Sequence, residues 1–371
     1  MAAVMLFSCS GQQDTTDGTD NVGSALQLST DKNLIQAGED IAILSLTLNG
    51  EPVTENVTFF DDDNQVLDLA DFKFSTDKAG EYVIWAAYGT MNSNKITITV
   101  VATAIPVTPE DPSPESTSFK SRVLVSQFTG TGCGFCPMMM ERLHPILEDE
   151  EKSQDVVWVA CHSYNEEDPA YLPTGKYSDF YGGGFPSLNL DFVIKVANNQ
   201  GNTTESIWST INSQNQAKKD FASGIAVNAK LVDGQVIAKV TVKAAETAEY
   251  RVGAMLLEDG IEKTQTSATA DWMNIHDACI RYVDAGQKAT GHKLGSIEKG
   301  KTADYLFVWN LDDIWQKGSI ECQSWEAFVE ENLRMAVYVV SITKVNGQDA
   351  YYVNNATYAE FNEETPFDYV K

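Results

Sequence analysis

The stretch FTGTGCGFCP, residues 128–137, is the part of the chain that says most about its fold. An apolar run at residues 123–125 precedes it and predicts a buried β-strand, and an apolar, helix-like segment at residues 138–147 follows it. Cys133 and Cys136 are therefore expected where a strand ends and a helix begins. Unpaired N–H groups and the helix dipole favour a thiolate at such a place. The sequence thus predicts thiol–disulfide chemistry, in which Cys133 attacks and Cys136 resolves the mixed disulfide.

A second informative stretch is GGGFPSLNL, residues 182–190. The chain thus has, in order, a strand, a Cys-x-x-Cys at a helix start, a second strand and a Gly-Phe-Pro before a third strand. This order resembles a thioredoxin-like redox site. The resemblance implies that Phe185 and Pro186 form a cis bond beside the cysteine pair and bind the substrate chain. Cis bonds are rare except before proline, and the glycines before Phe185 allow the backbone to approach the sulfurs closely.

Two other interpretations of the cysteine pair remain open on the sequence. Cys133 and Cys136 could form a permanent structural disulfide, because thioredoxins carry a buried Asp six residues before the first Cys and this chain has Gln127 there. A glutamine cannot act as a general base near neutral pH. The pair could also bind a metal together with His162, although zinc sites usually need a second pair of ligands. We predict no metal and no cofactor.

Residues 1–23 predict a lipoprotein signal remnant and a flexible tether. The tetrapeptide Leu6-Phe7-Ser8-Cys9 resembles a bacterial lipobox, in which Cys9 is the lipidated residue, and we expect the natural start to lie upstream. A diacylated cysteine anchors a protein to a membrane without spanning it. The alternative is a disordered tail with one chance cysteine.

Charge limits the partners expected for the chain, and cysteine content limits the disulfides that it can form. The 371 residues carry 53 acidic and 26 basic side chains, a net charge of −27, and such a surface repels phosphate backbones. Nucleic acid is therefore not an expected partner. Outside the cytosol disulfides persist, so Cys279 and Cys322 could also pair. Cys161 lies in a buried-strand pattern and is expected to be an inert core thiol.

The pattern of elements predicts a multidomain α+β protein. We expect residues 1–23 to be followed by four segments: an N-terminal immunoglobulin-like β-sandwich at 24–101, a Pro-rich linker at 102–118, a central thioredoxin-like α/β domain with a parallel-sheet core at 119–218, and a C-terminal β-sandwich at 219–371. Within the α/β domain we expect strands at 123–128, 156–163 and 188–192 and helices at 136–149 and 205–218.

These features, taken in this order, resemble the outer-membrane-protein-28-related family of envelope lipoproteins. The string Phe-Thr-Gly-x-x-Cys-x-x-Cys-Pro is the specific part of the resemblance. MLLEDGI at 255–261, IHDACIR at 275–281 and YVNNA at 352–356 are further echoes. The resemblance implies an outer-membrane address, and it brings no established substrate.

The sequence therefore predicts a lipid-anchored protein of the cell envelope. Its expected activity is disulfide exchange between Cys133, Cys136 and the thiols of unidentified extracytoplasmic proteins or peptides, which makes it a candidate thiol–disulfide oxidoreductase. The alternative is a non-catalytic binding or adhesion lipoprotein that uses the redox fold as a scaffold.

Overall fold

The structure is a computed structural model, and it describes residues 25–173, 177–197, 201–286, 289–345 and 348–370. The predicted lipidation site Cys9 and the predicted tether at residues 1–23 lie outside the described residues. The chain divides into two compact units, the first ending at Ile105 and the second beginning at Pro106.

The first unit is built from short strands that form two sheets. The strands are β1 (Leu26–Thr30), β2 (Leu34–Gln36), β3 (Ala42–Leu48), β4 (Glu51–Pro52), β5 (Val57–Phe60), β6 (Val66–Leu67), β7 (Lys73–Phe74), β8 (Gly80–Tyr88), β9 (Met91–Asn92) and β10 (Ile96–Val101). One sheet has the order β1-β3-β4, with β7 also paired to β3, and the other has the order β2-β10-β8-β5-β6, with β9 paired to β8.

The two sheets of the first unit share one apolar core. Buried and exposed side chains alternate along β1 and through most of β3, which is the pattern of strands with one face against a core. Leu26 and Leu44 of one sheet and Ile84 and Ile98 of the other belong to the same buried cluster. Burial of these side chains therefore holds the unit together.

The second unit contains both strands and helices. In chain order they are β11 (Val123–Thr129), α1 (Cys136–Leu147), β12 (Val156–His162), α2 (Tyr177–Tyr181), β13 (Ser187–Leu190), β14 (Ile194–Ala197), α3 (Thr204–Lys218), β15 (Gly224–Val232), β16 (Gln235–Lys243), β17 (Ala248–Glu258), β18 (Ile261–Glu262), β19 (Ile275–His276), β20 (Cys279–Asp284), β21 (His292–Ile297), β22 (Thr302–Asn310), α4 (Leu311–Glu321), β23 (Leu333–Val345), β24 (Gln348–Glu360) and β25 (Glu364–Thr365).

A long sheet forms the centre of the second unit. Its order is β14-β13-β11-β12-β20-β17-β23-β24, with β21 also paired to β17, and a smaller sheet has the order β22-β16-β15-β25. The largest apolar cluster joins side chains of both sheets, among them Val240 and Phe307 of the smaller sheet and Val252 and Val337 of the larger. The helices α1 and α3 cover a second cluster, in which Met139 and Ile211 meet Val125.

The prediction of a separate central thioredoxin-like α/β domain is wrong. Strands dominate the second unit, and the strands of residues 119–218 continue into the sheet formed by residues 219–371, because β12 pairs in parallel with β20. One buried cluster mixes Leu124 and Val157 from the first segment with Met255 and Ile280 from the second. The core predicted as parallel is also mixed, since β13 runs antiparallel to β11. The expected C-terminal sandwich is therefore not a domain of its own.

The start of the second unit, within the predicted linker, packs against that unit. Lys243 Nζ lies 2.8 Å from Asp111 Oδ2, and the hydroxyl oxygens of Thr108 and Thr241 are 2.6 Å apart. Lys243 also donates to the carbonyl of Pro114 at 2.7 Å. A buried cation with these partners fixes the segment to the strand β16.

Candidate functional site

Cys133 and Cys136 form a disulfide at the start of α1. Their Cα atoms are 5.4 Å apart, and Cys136 is the first residue of the helix. Pro137 follows in the first turn, where its missing N–H leaves no hydrogen bond unmade. Both cysteines are buried, with 2 % of Cys133 and none of Cys136 exposed, whereas 69 % of the intervening Phe135 is exposed. The disulfide thus lies just beneath an exposed aromatic side chain.

The turn that carries Cys133 needs its glycines. A Cβ on Gly130 would lie 2.6 Å from Cβ of Tyr164, and one on Gly132 would lie 2.8 Å from Oδ1 of Asn165. Gly132 N–H donates to that same Asn165 oxygen at 3.1 Å. The absence of side chains therefore lets the loop after β12 close onto the turn before the disulfide.

Phe185 and Pro186 lie at the same end of the sheet as the disulfide. The bond between them is cis, as expected. The next residue, Ser187, pairs with Phe128 near the end of β11, five residues before Cys133 in the chain. The rings of Phe185 and Tyr164 meet edge to face at 5.3 Å, so Tyr164 contacts both the turn of Gly130 and the candidate substrate-binding residue.

A segment of residues 265–269, which we call the cover segment, closes over the other side of the disulfide turn. The side-chain amide of Gln265 donates to the carbonyls of Gly130 at 3.3 Å and Cys133 at 3.0 Å. The N–H of Thr266 donates to the carbonyl of Thr131 at 2.8 Å. Residues far along the chain, which the sequence did not indicate, therefore hold the disulfide turn in place.

A buried polar cluster lies beside this site, and two of its members, His162 and Cys279, were candidates from the sequence in other roles. His162 Nδ1 is 2.8 Å from Asp168 Oδ2, and His162 Nε2 is 3.6 Å from Cys279 Sγ. The ring of His276 meets that of His162 edge to face at 5.1 Å. Asp168 also accepts the N–H of Thr131 at 2.6 Å, which connects the cluster to the disulfide turn.

Burial and the Asp168 carboxylate set the charges in this cluster. Burial opposes the charged form of His162, but the adjacent Asp168 outweighs it and raises the pKa of His162 well above its usual value. The same pairing holds the pKa of Asp168 well below its usual value, although burial acts to raise it. Burial, assisted by the neighbouring His162, lowers the pKa of His276 to about 4. Near neutral pH the cluster therefore holds a charged pair and a neutral imidazole.

Cys161, Cys279 and Cys322 are free and buried, so the bond suggested between Cys279 and Cys322 is not formed. Each sulfur has other partners: Cys279 lies against His162, and Cys322 Sγ lies 2.8 Å from the carbonyl of Glu166. Burial raises the pKa of Cys279, and it raises the pKa of Cys161 to about 12. Cys161 and Cys279 are therefore thiols near neutral pH.

The position six residues before Cys133 holds a buried amide. Gln127 is 2 % exposed, and its Oε1 accepts the indole N–H of Trp158 at 3.0 Å. The considered metal site of Cys133, Cys136 and His162 is not assembled, because the two cysteines are bonded to each other and His162 contacts Asp168 and Cys279. Within the described ranges, no group of three or more His, Cys, Asp or Glu side chains is placed to hold a metal ion.

Comparisons with known proteins support the fold and do not assign a family. No family model matches the chain, and no curated protein matches it. Among solved structures, HBP35 of Porphyromonas gingivalis is similar over 68 % of this chain and 78 % of its own, with 18 % identity and a TM-score of 0.52. At this identity the likeness concerns the fold alone. A DUF4785 family protein of Legionella pneumophila aligns over 90 % of this chain and 56 % of its own at 10 % identity, but its TM-score of 0.17 carries no argument.

None of the helices described has both the length and the apolar composition needed to cross a bilayer.

Proposed function

We propose that this chain is a lipid-anchored cell-envelope protein that exchanges disulfides with extracytoplasmic protein thiols through Cys133 and Cys136. The anchor would be Cys9, and the resemblance of the sequence to outer-membrane-protein-28-related lipoproteins supports an outer-membrane address. The observation that carries the proposal is the Cys133–Cys136 disulfide at the N-terminal end of α1. The substrate-binding role proposed for Phe185 and Pro186 is supported by their position at the same end of the sheet.

The proposed exchange passes two electrons from the chain to its partner. The Cys133 thiolate attacks a partner disulfide, and one partner sulfur leaves as a thiolate. The Cys136 thiolate then attacks Cys133 Sγ, which breaks the mixed disulfide and releases the second partner thiolate. The chain is left with the Cys133–Cys136 disulfide that the structure contains, and a dithiol reductant such as dithiothreitol restores both thiols.

The position of Cys133 and Cys136 favours their thiolate forms once they are reduced. The N-terminal end of α1 places the positive end of the helix dipole beside the sulfurs. A thiolate stabilised in this way is both a better attacking group at neutral pH and a better leaving group.

One observation favours the alternative, a binding or adhesion lipoprotein in which the disulfide is structural. Both cysteines are buried, and the cover segment is hydrogen bonded to the turn that carries them. In that case the exposed Phe135 and Phe185 would belong to a binding surface, since each exposes more than a third of its area. The two proposals differ in whether the sulfurs react.

A trapping experiment distinguishes the two proposals. The variant Cys136→Ser, reduced and mixed with a peptide disulfide, is expected to accumulate a mixed disulfide at Cys133, because no second thiol can resolve it. Intact mass measured under non-reducing conditions reports the adduct. Cys133→Ser is the matched control, and it is expected to form much less adduct because the attacking sulfur is absent.

Turnover is measured separately as insulin reduction driven by dithiothreitol. The wild-type chain is expected to accelerate the reaction, and Cys133→Ser is expected to give only the rate of dithiothreitol alone. Equal and negligible rates for the two proteins, together with no adduct on Cys136→Ser, would establish the structural disulfide instead.

A further inference from the structure

A cavity of about 250 Å³ lies beside α1 and is not used by the proposed exchange. The strands β11 and β12 contribute polar and aromatic side chains to it, and the segment that ends in β19 closes another side. Its lining residues include apolar side chains of the helix and two indoles, namely Met140, Leu143, Leu147, Trp158 and Trp272. His144 stacks on Trp272 with ring centres 4.1 Å apart. Much of the lining is thus flat and apolar.

The first polar group in the lining is the side-chain amide of Gln127. An indole N–H can only donate, so its bond from Trp158 identifies the acceptor atom as Oε1 and leaves Nε2 as a donor. No hydrogen-bond partner of Gln127 Nε2 occurs among the described residues, although the side chain is 98 % buried (2 % exposed). Nε2 keeps accessible surface, so it is free to donate to a molecule in the cavity.

The second polar group is the imidazole of His276, which is 5 % exposed. Its Nε2 lies 2.9 Å from the carbonyl oxygen of Lys263, so Nε2 carries the hydrogen. Nδ1 is then an acceptor, and the described part of the chain offers it no hydrogen-bond donor. The cavity therefore presents the Nε2 donor of Gln127 and the Nδ1 acceptor of His276, and the polar side chains of Thr129, Glu148 and Asp277 also line it.

Charge limits what can occupy the cavity. His276 is neutral near pH 7, and the charge of His162 is balanced by Asp168 at 2.8 Å. Glu148 and Asp277 also line the cavity, and the chain as a whole carries a net charge of −27. Anionic ligands are therefore disfavoured. The volume is slightly below the roughly 300 Å³ at which ordinary ligand pockets begin, so the ligand must be small.

We propose that this cavity binds a small, neutral, planar molecule with a ring amide, in which a carbonyl accepts from Gln127 and the adjacent N–H donates to His276. The class includes pyridones and pyrimidinones. The flat faces of such a ring suit the indoles of Trp158 and Trp272, and its apolar edge suits Met140 and Leu143. The proposal is independent of the cysteine chemistry, because neither sulfur takes part.

The test measures binding of 2-pyridone to the full chain by calorimetry and by the NMR shift of the Trp158 indole N–H. We expect a Kd on the order of 1 mM or tighter, as is usual for a ligand of this size in a fitted site. N-methyl-2-pyridone has the same ring and carbonyl but no N–H donor. It is expected to bind at least about tenfold more weakly, because His276 Nδ1 would stay unpaired.

A matched pair of variants tests the role of Gln127. Gln127→Glu keeps the size of the side chain and an acceptor for Trp158, but it replaces the free donor by an acceptor, so binding of 2-pyridone is expected to fall at least about tenfold. Gln154→Glu makes the same change at an exposed position away from the cavity and is expected to bind like the wild type.

Three results would overturn the proposal: no binding of 2-pyridone, equal binding of the N-methyl compound, or unchanged binding by folded Gln127→Glu. If circular dichroism shows that Gln127→Glu does not fold, the comparison of the two ligands on the wild-type chain decides. None of these readouts depends on thiol exchange, so this proposal and the proposed function can fail separately.

Discussion

Among the four side chains of the buried polar cluster, His276 is neutral near pH 7, because burial and the neighbouring His162 lower its pKa to about 4. Cys133, Cys136 and Pro186 could be located in advance because their signals are local, namely the spacing of two cysteines before a helix and a proline before a strand. The cluster of His162, Asp168, Cys279 and His276 has no local signal. It forms because β12 and β20 pair at Ala160 and Cys279, which are 119 residues apart.

Stability is expected to fall in acid because of His276. Its pKa is lowered to about 4 in the folded chain, whereas an unfolded histidine titrates near 6.5. Between these values the unfolded chain binds the additional proton, so the free energy of unfolding decreases as the pH falls from 6.5 towards 4, by about 3 kcal/mol in all. His162 acts in the opposite direction, since its raised pKa gives stability that is lost as the pH rises above its folded pKa.

Urea unfolding at about pH 7.0 and about pH 4.5 checks the contribution of His276. The two pH values lie on either side of the ordinary histidine pKa of roughly 6.5. His276→Gln keeps a donor for the Lys263 carbonyl and does not titrate. Its free energy of unfolding is therefore expected to fall by about 2–3 kcal/mol less than that of the wild type between the two pH values. His144→Gln, a change on α1 outside the polar cluster, is the control. The same loss in His276→Gln and the wild type would show that His276 is not the titrating group.

The elements around the disulfide were predicted well because each has a local pattern. The strands expected at 123–128 and 156–163 occur as Val123–Thr129 and Val156–His162, and the helix expected at 136–149 occurs as Cys136–Leu147. The cover segment could not be predicted, since its function at the site rests on hydrogen bonds between Gln265 and carbonyls more than 130 residues away. Backbone carbonyls carry no sequence signature.

The cover segment is expected to limit how fast the disulfide reacts. Gln265→Ala removes two hydrogen bonds to the disulfide turn, each worth about 1 kcal/mol, and should raise the rate of reduction by dithiothreitol by up to about thirtyfold. The rate is measured by alkylating the free thiols at fixed times and determining the mass of the alkylated protein by mass spectrometry. Gln154→Ala, at an exposed position, is the control. An unchanged rate in Gln265→Ala would mean that the segment does not restrict access.

At the scale of the whole molecule, hydrophobic patterning predicted the strands but did not show how the sheets join. The expected boundary near residue 218 followed from a change of pattern from alternating strands and helices to strands alone. The pattern does change there, but the same sheet and core continue across residue 218, because Leu124 and Val157 share a core with Met255 and Ile280. Patterning reveals that a side chain is buried without revealing its partners.

The joined core predicts how fragments fold. Residues 106–371 are expected to fold alone and to melt in one cooperative transition, because they form one compact unit with its own cores. Residues 119–218 alone are expected not to fold, since the strand β12 would lose its neighbour β20 and expose its apolar face. Circular dichroism during heating checks both. A cooperative transition of the 119–218 fragment would contradict this account and show that these residues fold as a separate domain.

The reduction potential of the Cys133–Cys136 pair tests the proposed exchange most directly. It is measured by equilibrating the full chain with glutathione or dithiothreitol buffers and counting free thiols. A pair that exchanges disulfides with protein thiols is expected between about −270 and −120 mV, the span of known exchange proteins. A value below about −300 mV would mark a static crosslink and contradict the proposed function.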